Sequence, residues 1–218
     1  MMKKTTLFSL LVPAALLVGC HERSAVNGLT VEMLDCPLGV AAEHPRLSWR
    51  IESALPATVQ TGYRILVSTD PGDLETGENL IWDSGDVPSD RSVLVPYEGP
   101  ELESRRDYYW KVRVATNHGD TLWSEPSRWS MALLDDSDWQ ARWIGYDSCL
   151  NRTDTLGVFS RLAARYLRKE FDAGRDIAQA RLYISGLGLY ECYLNGCRVG
   201  EDVLAPTATD YTKTVCYN

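Results

Sequence analysis

Thirty acidic side chains in 218 residues raise the question of whether any two could work as an acid and a base. A carboxyl pair that cleaves a glycoside with inversion must stand about 6.5–9.5 Å apart across the bond. Glu201 and Asp202 are adjacent, and strand or turn geometry sends neighbouring side chains different ways. Asp83 and Asp86 flank Gly85 in what reads as a turn. Both pairs are expected to be solvated turn acids. Asp135, Asp136 and Asp138 crowd together as calcium ligands do, but an EF-hand loop needs glycine at its sixth position and a bidentate acid at its twelfth. Ala141 and Gly145, followed by Tyr146, stand about where those belong. A solvated turn is expected instead, with Trp139 and Trp143 burying against the following domain.

Other chemistries find less support. Gly186-Leu187-Gly188 has no Lys-Ser/Thr and no following helix, so it is not a phosphate loop. No serine or cysteine occupies a nucleophile elbow. His21, His44 and His118 are scattered and no C-x-x-C pair occurs, which argues against zinc. The sequence therefore gives no catalytic residue, no metal site, no cofactor and no identifiable substrate contact.

What these residues sit on is β-structure. Residues 180–185 alternate, with Ala180, Leu182 and Ile184 facing one way. Alternation resumes with Tyr190, Cys192 and Leu194. Asn195-Gly196 then supplies the dipeptide that best fits a type I′ hairpin, setting Leu194 opposite Cys197 and Cys192 opposite Val199. Upstream, seven short alternating runs recur between turn signals: 29–34, 46–51, 62–68, 80–83, 92–95, 107–116 and 127–133. The clearest places Tyr108, Trp110, Val112 and Val114 inward and Tyr109, Lys111 and Arg113 outward. No helical apolar spacing is long enough to compete. The expectation is an all-β chain: a fibronectin type III-like sandwich over residues 27–134, a linker over 135–164, then the start of a jelly-roll-like β-sandwich over 165–218. That last stretch supplies about four strands where such a sandwich needs roughly eight.

The amino terminus reads as a targeting segment. Lys3 and Lys4 precede a short apolar run broken by Pro13, too short to span a bilayer. Leu17-Val18-Gly19-Cys20 resembles a bacterial lipobox. Residues 1–19 are thus expected to be a lipoprotein signal peptide and Cys20 the lipid-attachment residue, followed by a tether over 20–26. Triacylation anchors stably where one chain is marginal. The expected location is an exported, membrane-anchored lipoprotein, periplasmic or on the outer surface, touching membrane only through its lipid.

A formal net charge of −8, more negative once Lys3 and Lys4 are removed, excludes nucleic acid as a partner. Seven Trp and eleven Tyr against three Phe could stack on sugars, but in sandwiches aromatics mostly fill the core. Beside Cys20 stand Cys36, Cys149, Cys192, Cys197 and Cys216, an odd set that does not make a full disulfide framework. Cys192 and Cys197 would be diagonal neighbours about 7–8 Å apart, beyond comfortable bridging. Buried thiols acting as small hydrophobes are expected. Asn151-Arg152-Thr153 is a formal sequon that carries no information beside a bacterial lipobox.

Several runs, in order, resemble a known family. Y-L-R-K-E-F at 166–171, A-R-L-Y-I-S-G-L-G-L-Y-E, L-N-G-C-R-V-G and V-L-A-P-T-A-T-D-Y are similar to the amino-terminal accessory domain of bacterial α-L-rhamnosidases, the inverting enzymes of glycoside hydrolase family 78. Thr207-Ala208 departs from the glycine and aromatic that many relatives carry after the proline. C-P-L-G-V, P-R-L-S-W-R, I-W-D-S-G-D-V, Y-Y-W-K-V-R-V and W-S-E-P extend the resemblance to nearly everything after the signal peptide. In that family the catalytic carboxylates belong to a later (α/α)6 barrel. The resemblance implies a non-catalytic portion of an exo-acting glycosidase, inactive by itself, whose parent takes rhamnose-containing glycans. The alternative is a free-standing lipid-anchored sandwich that binds glycan or protein.

Overall fold

The computed structural model describes residues 24–145, 165–174 and 176–218, and the chain divides into two compact units, Met1–Trp139 and Gln140–Asn218. In the first unit one antiparallel sheet runs in the order β1 (Ala25–Val31), β2 (Arg46–Glu52), β5 (Val95–Pro96). The other places β3 (Gln60–Ser68) between β4 (Trp82–Asp83) and β6 (Asp107–Thr116). The far edge of β6 is taken by β7 (Thr121–Trp123) and β8 (Ser127–Ser130) in succession. Those two pieces are one strand path broken at Ser124-Glu125-Pro126, because proline cannot donate to a ladder. Ser124 repairs the gap: its N–H donates to the Val112 carbonyl at 2.9 Å, and the Val112 N–H donates to its hydroxyl at 3.1 Å.

The alternation in β6 is realised as expected, with Tyr108, Trp110, Val112 and Val114 buried. They meet Leu47 and Trp49 from β2, Ile65 and Val67 from β3, and Tyr97, Trp129 and Met131. Tyr108 stacks on Trp129 with centroids 5.3 Å apart, and Tyr97 meets Trp129 edge-on at 6.5 Å. Trp49, Tyr97, Tyr108, Trp110 and Trp129 are thus core aromatics of this unit. Polar atoms in this core are mostly answered. The Trp49 indole N–H donates to Gln60 Oε1 at 2.9 Å, and Gln60 Nε2 donates to the carbonyls of Ser89 and Arg91.

Register fixes two poles. Ala25 pairs with Glu52 and Gln60 with Thr116, so Ser24, the loop 53–59 and the turn 117–120 share one end. Asp107 pairs with Ser130 and Ser68 with Tyr109, so the opposite end holds 104–106, 131–138 and α1 (Pro71–Thr76). The chain enters at one pole and leaves at the other.

Two elements were not expected. Strand β7 is only three residues long. Helix α1 is six residues, capped by the Asp70 carboxylate, which accepts from Gly72 N–H, and stopped by Gly77 at φ 73°. Within these units Trp143 is 60% exposed and Trp139 half-buried.

The second unit contains the hairpin β9 (Cys192–Leu194) and β10 (Cys197–Val199). Asn195 and Gly196 both take positive φ, 51° and 85°, as a primed turn requires. Leu194 pairs with Cys197 and Cys192 with Val199, the anticipated register. Residues 180–185 and 166–171 differ from expectation: neither is a regular strand. A strand exists only through its partners, and here Ile184 exchanges two 2.9 Å bonds with Asn218 beside a single Ser185–Tyr217 bridge.

Candidate functional site

The acids singled out by sequence are built into local structure. Asp83, on the edge strand β4, accepts a two-pronged contact from the Arg64 guanidinium and the Gly85 N–H at 2.9 Å. The arginine contact holds its carboxyl below the usual range. Asp86 is ion-paired with Arg113. Asp135 caps a 3-10 turn, Asp136–Asp138, in a capping box: its side chain accepts from Ser137 N–H at 2.7 Å, and the Asp138 side chain accepts from Asp135 N–H at 3.3 Å. Ser137 lowers the titration of Asp135, and Ser104, with Arg105 nearby, lowers that of Asp138.

In the second unit Asp202 accepts from Asn218 Nδ2 at 3.1 Å, and its carbonyl accepts from Arg198. Its neighbour Glu201 is exposed. A general acid needs a carboxyl whose titration is raised toward neutrality. Every described carboxyl with a displaced titration moves the other way: Glu32 through Arg46, Asp83 through Arg64, Asp135 through Ser137, Asp138 through Ser104 and Asp210 through Thr212. These groups are ionised hydrogen-bond acceptors, the wrong state for protonating a leaving group.

Among the described residues no three His, Cys, Asp or Glu side chains are placed to hold a metal ion. His44 Nδ1 donates to the Tyr97 carbonyl at 3.2 Å, and His118 Nε2 meets Thr58 Oγ1 at 3.1 Å. The cysteines correct the expectation of buried thiols. Cys36 and Cys197 are exposed, Cys192 and Cys216 half-buried, and all four are free. Cys36 sits at φ 44° outside the sheets, Cys192 and Cys197 stand on the β9–β10 hairpin, and Cys216 lies on the segment whose backbone meets Ser185. Cys20, His21, Cys149 and the sequon at 151–153 lie outside the described residues.

Two arrangements escaped the sequence. One is a groove of about 180 Å³ in the second unit, lined by Leu182, Ile184, Tyr190, Val199, Asp202 and Asn218. The Tyr190 hydroxyl donates to Asn218 Oδ1 at 3.2 Å while Asn218 Nδ2 holds Asp202, so its polar groups are paired with each other. The second lies on the outer face of the larger sheet. Lys111 Nζ stands 4.9 Å from the Trp123 ring centroid and the Arg113 guanidinium 5.7 Å from it. Glu75 and Asp86 take the charges of these two cations. Lys111, expected outward, is therefore only 7% exposed: it points away from the core but lies beneath Trp123 and α1. The free thiol of Cys192 and the Glu191 carboxylate, which accepts from the Tyr193 hydroxyl at 2.9 Å, also line the groove, while the outer-face cations Lys111 and Arg113 are both ion-paired.

Comparison with known proteins bears on what such a scaffold serves. The family described as "Rha78A-like, N-terminal immunoglobulin domain" matches residues 26–135, and "Alpha-L-rhamnosidase N-terminal domain" matches residues 175–218. An α-L-rhamnosidase of Formosa agariphila is 33% identical over 234 residues, covering 97% of this chain and 24% of that protein. The solved α-L-rhamnosidase of Dictyoglumus thermophilum superposes with a TM-score of 0.76 at 32% identity, over 89% of this chain and 23% of its own. The Streptomyces avermitilis α-L-rhamnosidase, solved with L-rhamnose, reaches 44% identity and a TM-score of 0.53 over 56% of this chain and 12% of its own. The chain spans about a quarter or less of the length of these relatives.

Proposed function

Because the chain belongs to the family of amino-terminal β-domains found in α-L-rhamnosidases, we propose that it is the non-catalytic amino-terminal portion of an α-L-rhamnosidase that removes terminal α-L-rhamnose from glycans. One observation carries this reading. Two rhamnosidase amino-terminal families match in chain order, on units whose displaced carboxyls are all held ionised by hydrogen bonds. Inverting hydrolysis needs one protonated and one ionised carboxyl across the bond. The work left to these units is mechanical: to fold, to support and to space the part that carries the acid and base.

The proposal includes an exported, lipid-anchored location. Its support is the Leu17-Val18-Gly19-Cys20 run after a basic start and a short apolar segment. Cys20→Ser is expected to leave the precursor uncleaved by lipoprotein signal peptidase; unchanged processing and detergent partitioning in that variant overturn the anchor.

Two measurements test the functional reading. Purified chain should release no nitrophenol from an aryl α-L-rhamnoside, and robust turnover would sink the non-catalytic assignment. The coding sequence should continue past Asn218 into a barrel bearing the acid and base. A stop codon there would transfer weight to a free-standing surface lipoprotein that binds glycan or protein.

A further inference from the structure

We infer that the pole of the first unit formed by the loop 53–59 and the turn 117–120 rests on the lipid surface, with the opposite, acidic pole held away from it. This rests on the proposed lipid anchor at Cys20 and adds an orientation and a contact surface that the anchor alone does not specify.

The first argument is reach. Four residues separate Cys20 from Ala25, where β1 begins, so even a fully extended tether of five residue steps spans at most about 18 Å. Ala25 lies at the pole that also carries Ser24 and Ser53, whose hydroxyls meet at 2.9 Å. Strand β6 is ten residues long, about 33 Å from pole to pole at strand rise. One end must stay near the lipid headgroups, and the other is free to stand a full strand length farther out.

The second argument is the chemistry of the two ends. The near loop reads Ser53-Ala54-Leu55-Pro56-Ala57-Thr58-Val59 and carries no charge. Leu55 is 50% and Val59 52% exposed. The adjoining charged or titratable groups are Glu52, Asp120 and His118, with Asp90 and Arg91 in the segment held by Gln60. Asp120 accepts from the Thr116 hydroxyl, and His118 is engaged by Thr58. The opposite pole gathers Asp70, Asp73, Glu103, Asp135 and Asp136 against Arg105 and Arg106. Exposed apolar residues occur there too, at Met33, Leu34 and Leu38, so exposure alone does not choose between the ends. Charge does: the opposite pole carries the larger acidic excess and is repelled more strongly by an anionic lipid surface within a Debye length, whereas the loop 53–59 itself carries no charge.

The third argument is rigidity. Ala57 holds φ 56°, and the loop is tied down at several points. Asn117 Oδ1 accepts from Val59 N–H at 2.9 Å, Asn117 Nδ2 donates to the Ala57 carbonyl at 3.2 Å, and Thr58 Oγ1 donates to Ser53 Oγ and the Leu55 carbonyl at 2.9 Å. A loop fixed in this way offers Leu55 and Val59 to an apolar phase with little ordering left to lose on contact.

The test is hydrogen exchange on the lipidated chain in phosphatidylcholine–phosphatidylglycerol vesicles, compared with the Cys20→Ser chain in solution. Amides of 54–59 and 117–119 are expected to slow at least about threefold on the vesicle, with 103–106 unchanged. A Leu55→Asp, Val59→Asp double variant should still float with vesicles, because the lipid anchors it, but lose that slowing. Flotation with equal exchange at both poles, or slowing confined to 103–106, overturns the orientation and leaves the anchor standing. A wild-type chain that does not float overturns the anchor and the orientation together.

Discussion

Trp110 has its whole side chain inside the sandwich, yet its indole N–H finds no acceptor among the described residues. Its value to the fold is therefore packing, undiluted by a hydrogen bond. Trp110→Ala should cost about 3–5 kcal/mol, read by denaturant titration of the purified chain; a loss below about 1 kcal/mol would mean that the indole is not core. Tyr97 makes the complementary case. Its hydroxyl donates to the Pro100 carbonyl at 2.9 Å, and burial, then Tyr108, pushes its titration up to about 12. Below the unfolded value near 10 the phenol is neutral in both states and its contribution is intact. As pH climbs from there through about 12, the folded chain keeps a proton that the unfolded chain releases, and stability falls. Unfolding free energy is expected to decline across that window in wild type and less steeply in Tyr97→Phe, with tyrosinate absorbance reporting the ionisation. The same burial makes Tyr97 sensitive to its neighbours: a Cβ built on Gly99 would stand 2.4 Å from the Tyr97 hydroxyl and 2.7 Å from Trp82 Cβ. Gly99→Ala should destabilise by about 1–3 kcal/mol, measured in the same titration; a neutral result would show that this loop yields freely.

At the level of elements, period-2 patterning made β6 and its inward face legible, because that strand is long and paired along both edges. Asn195-Gly196 announced the hairpin because few dipeptides adopt positive φ twice. Helix α1 was missed although its punctuation is in the sequence: Asp70 before Pro71, and Gly77 at the stop. Six residues are too few for apolar spacing to register, so only the caps could have revealed it. Strand β7 was hidden because a strand of three residues has no period, and its continuation is broken by Pro126. Lys111 shows the limit of an inward/outward reading. Alternation fixed its face correctly, but its burial depends on Trp123 from the neighbouring strand and Glu75 from the helix, which strand alternation does not encode. The candidate site was legible chiefly in the negative. Adjacent acids and turn acids were expected to be solvated; Asp83 is instead paired with Arg64 on β4, Asp86 with Arg113, and Asp135 caps a turn, partners that the sequence alone did not name. The groove between Tyr190 and Asn218 joins positions 28 residues apart, a pairing that no local pattern carries.

Across the whole molecule, the two units hold their backbones with very different numbers of partners. Strands β3 and β6 pair without a register break from Gly62–Ala115 to Ser68–Tyr109, with one bulge between Gly62 and the Gln60–Thr116 pair, over a buried apolar face. The β9–β10 ladder has three register pairs, and Leu194 and Val199 remain 52% and 42% exposed. Native-state hydrogen exchange should therefore leave amides of β3 and β6 protected far longer than those of 192–199. Equal protection would mean that the hairpin is covered by something that the described residues do not supply.

Entry at one pole and exit at the other also decides how the first unit would carry a pull. With the Ala25 end held and the segment after Asp138 drawn away from it, tension runs along the strands. The β1–β2 ladder, registered from Ala25–Glu52 to Val31–Leu47, is then loaded lengthwise, so its hydrogen bonds must slide together instead of opening one at a time. Glu32 and Arg46 bolt one end of that ladder side chain to side chain. Under flow or traction at a cell surface the unit would behave as a stiff link, and its endurance would be set by its unfolding rate, not by its equilibrium stability.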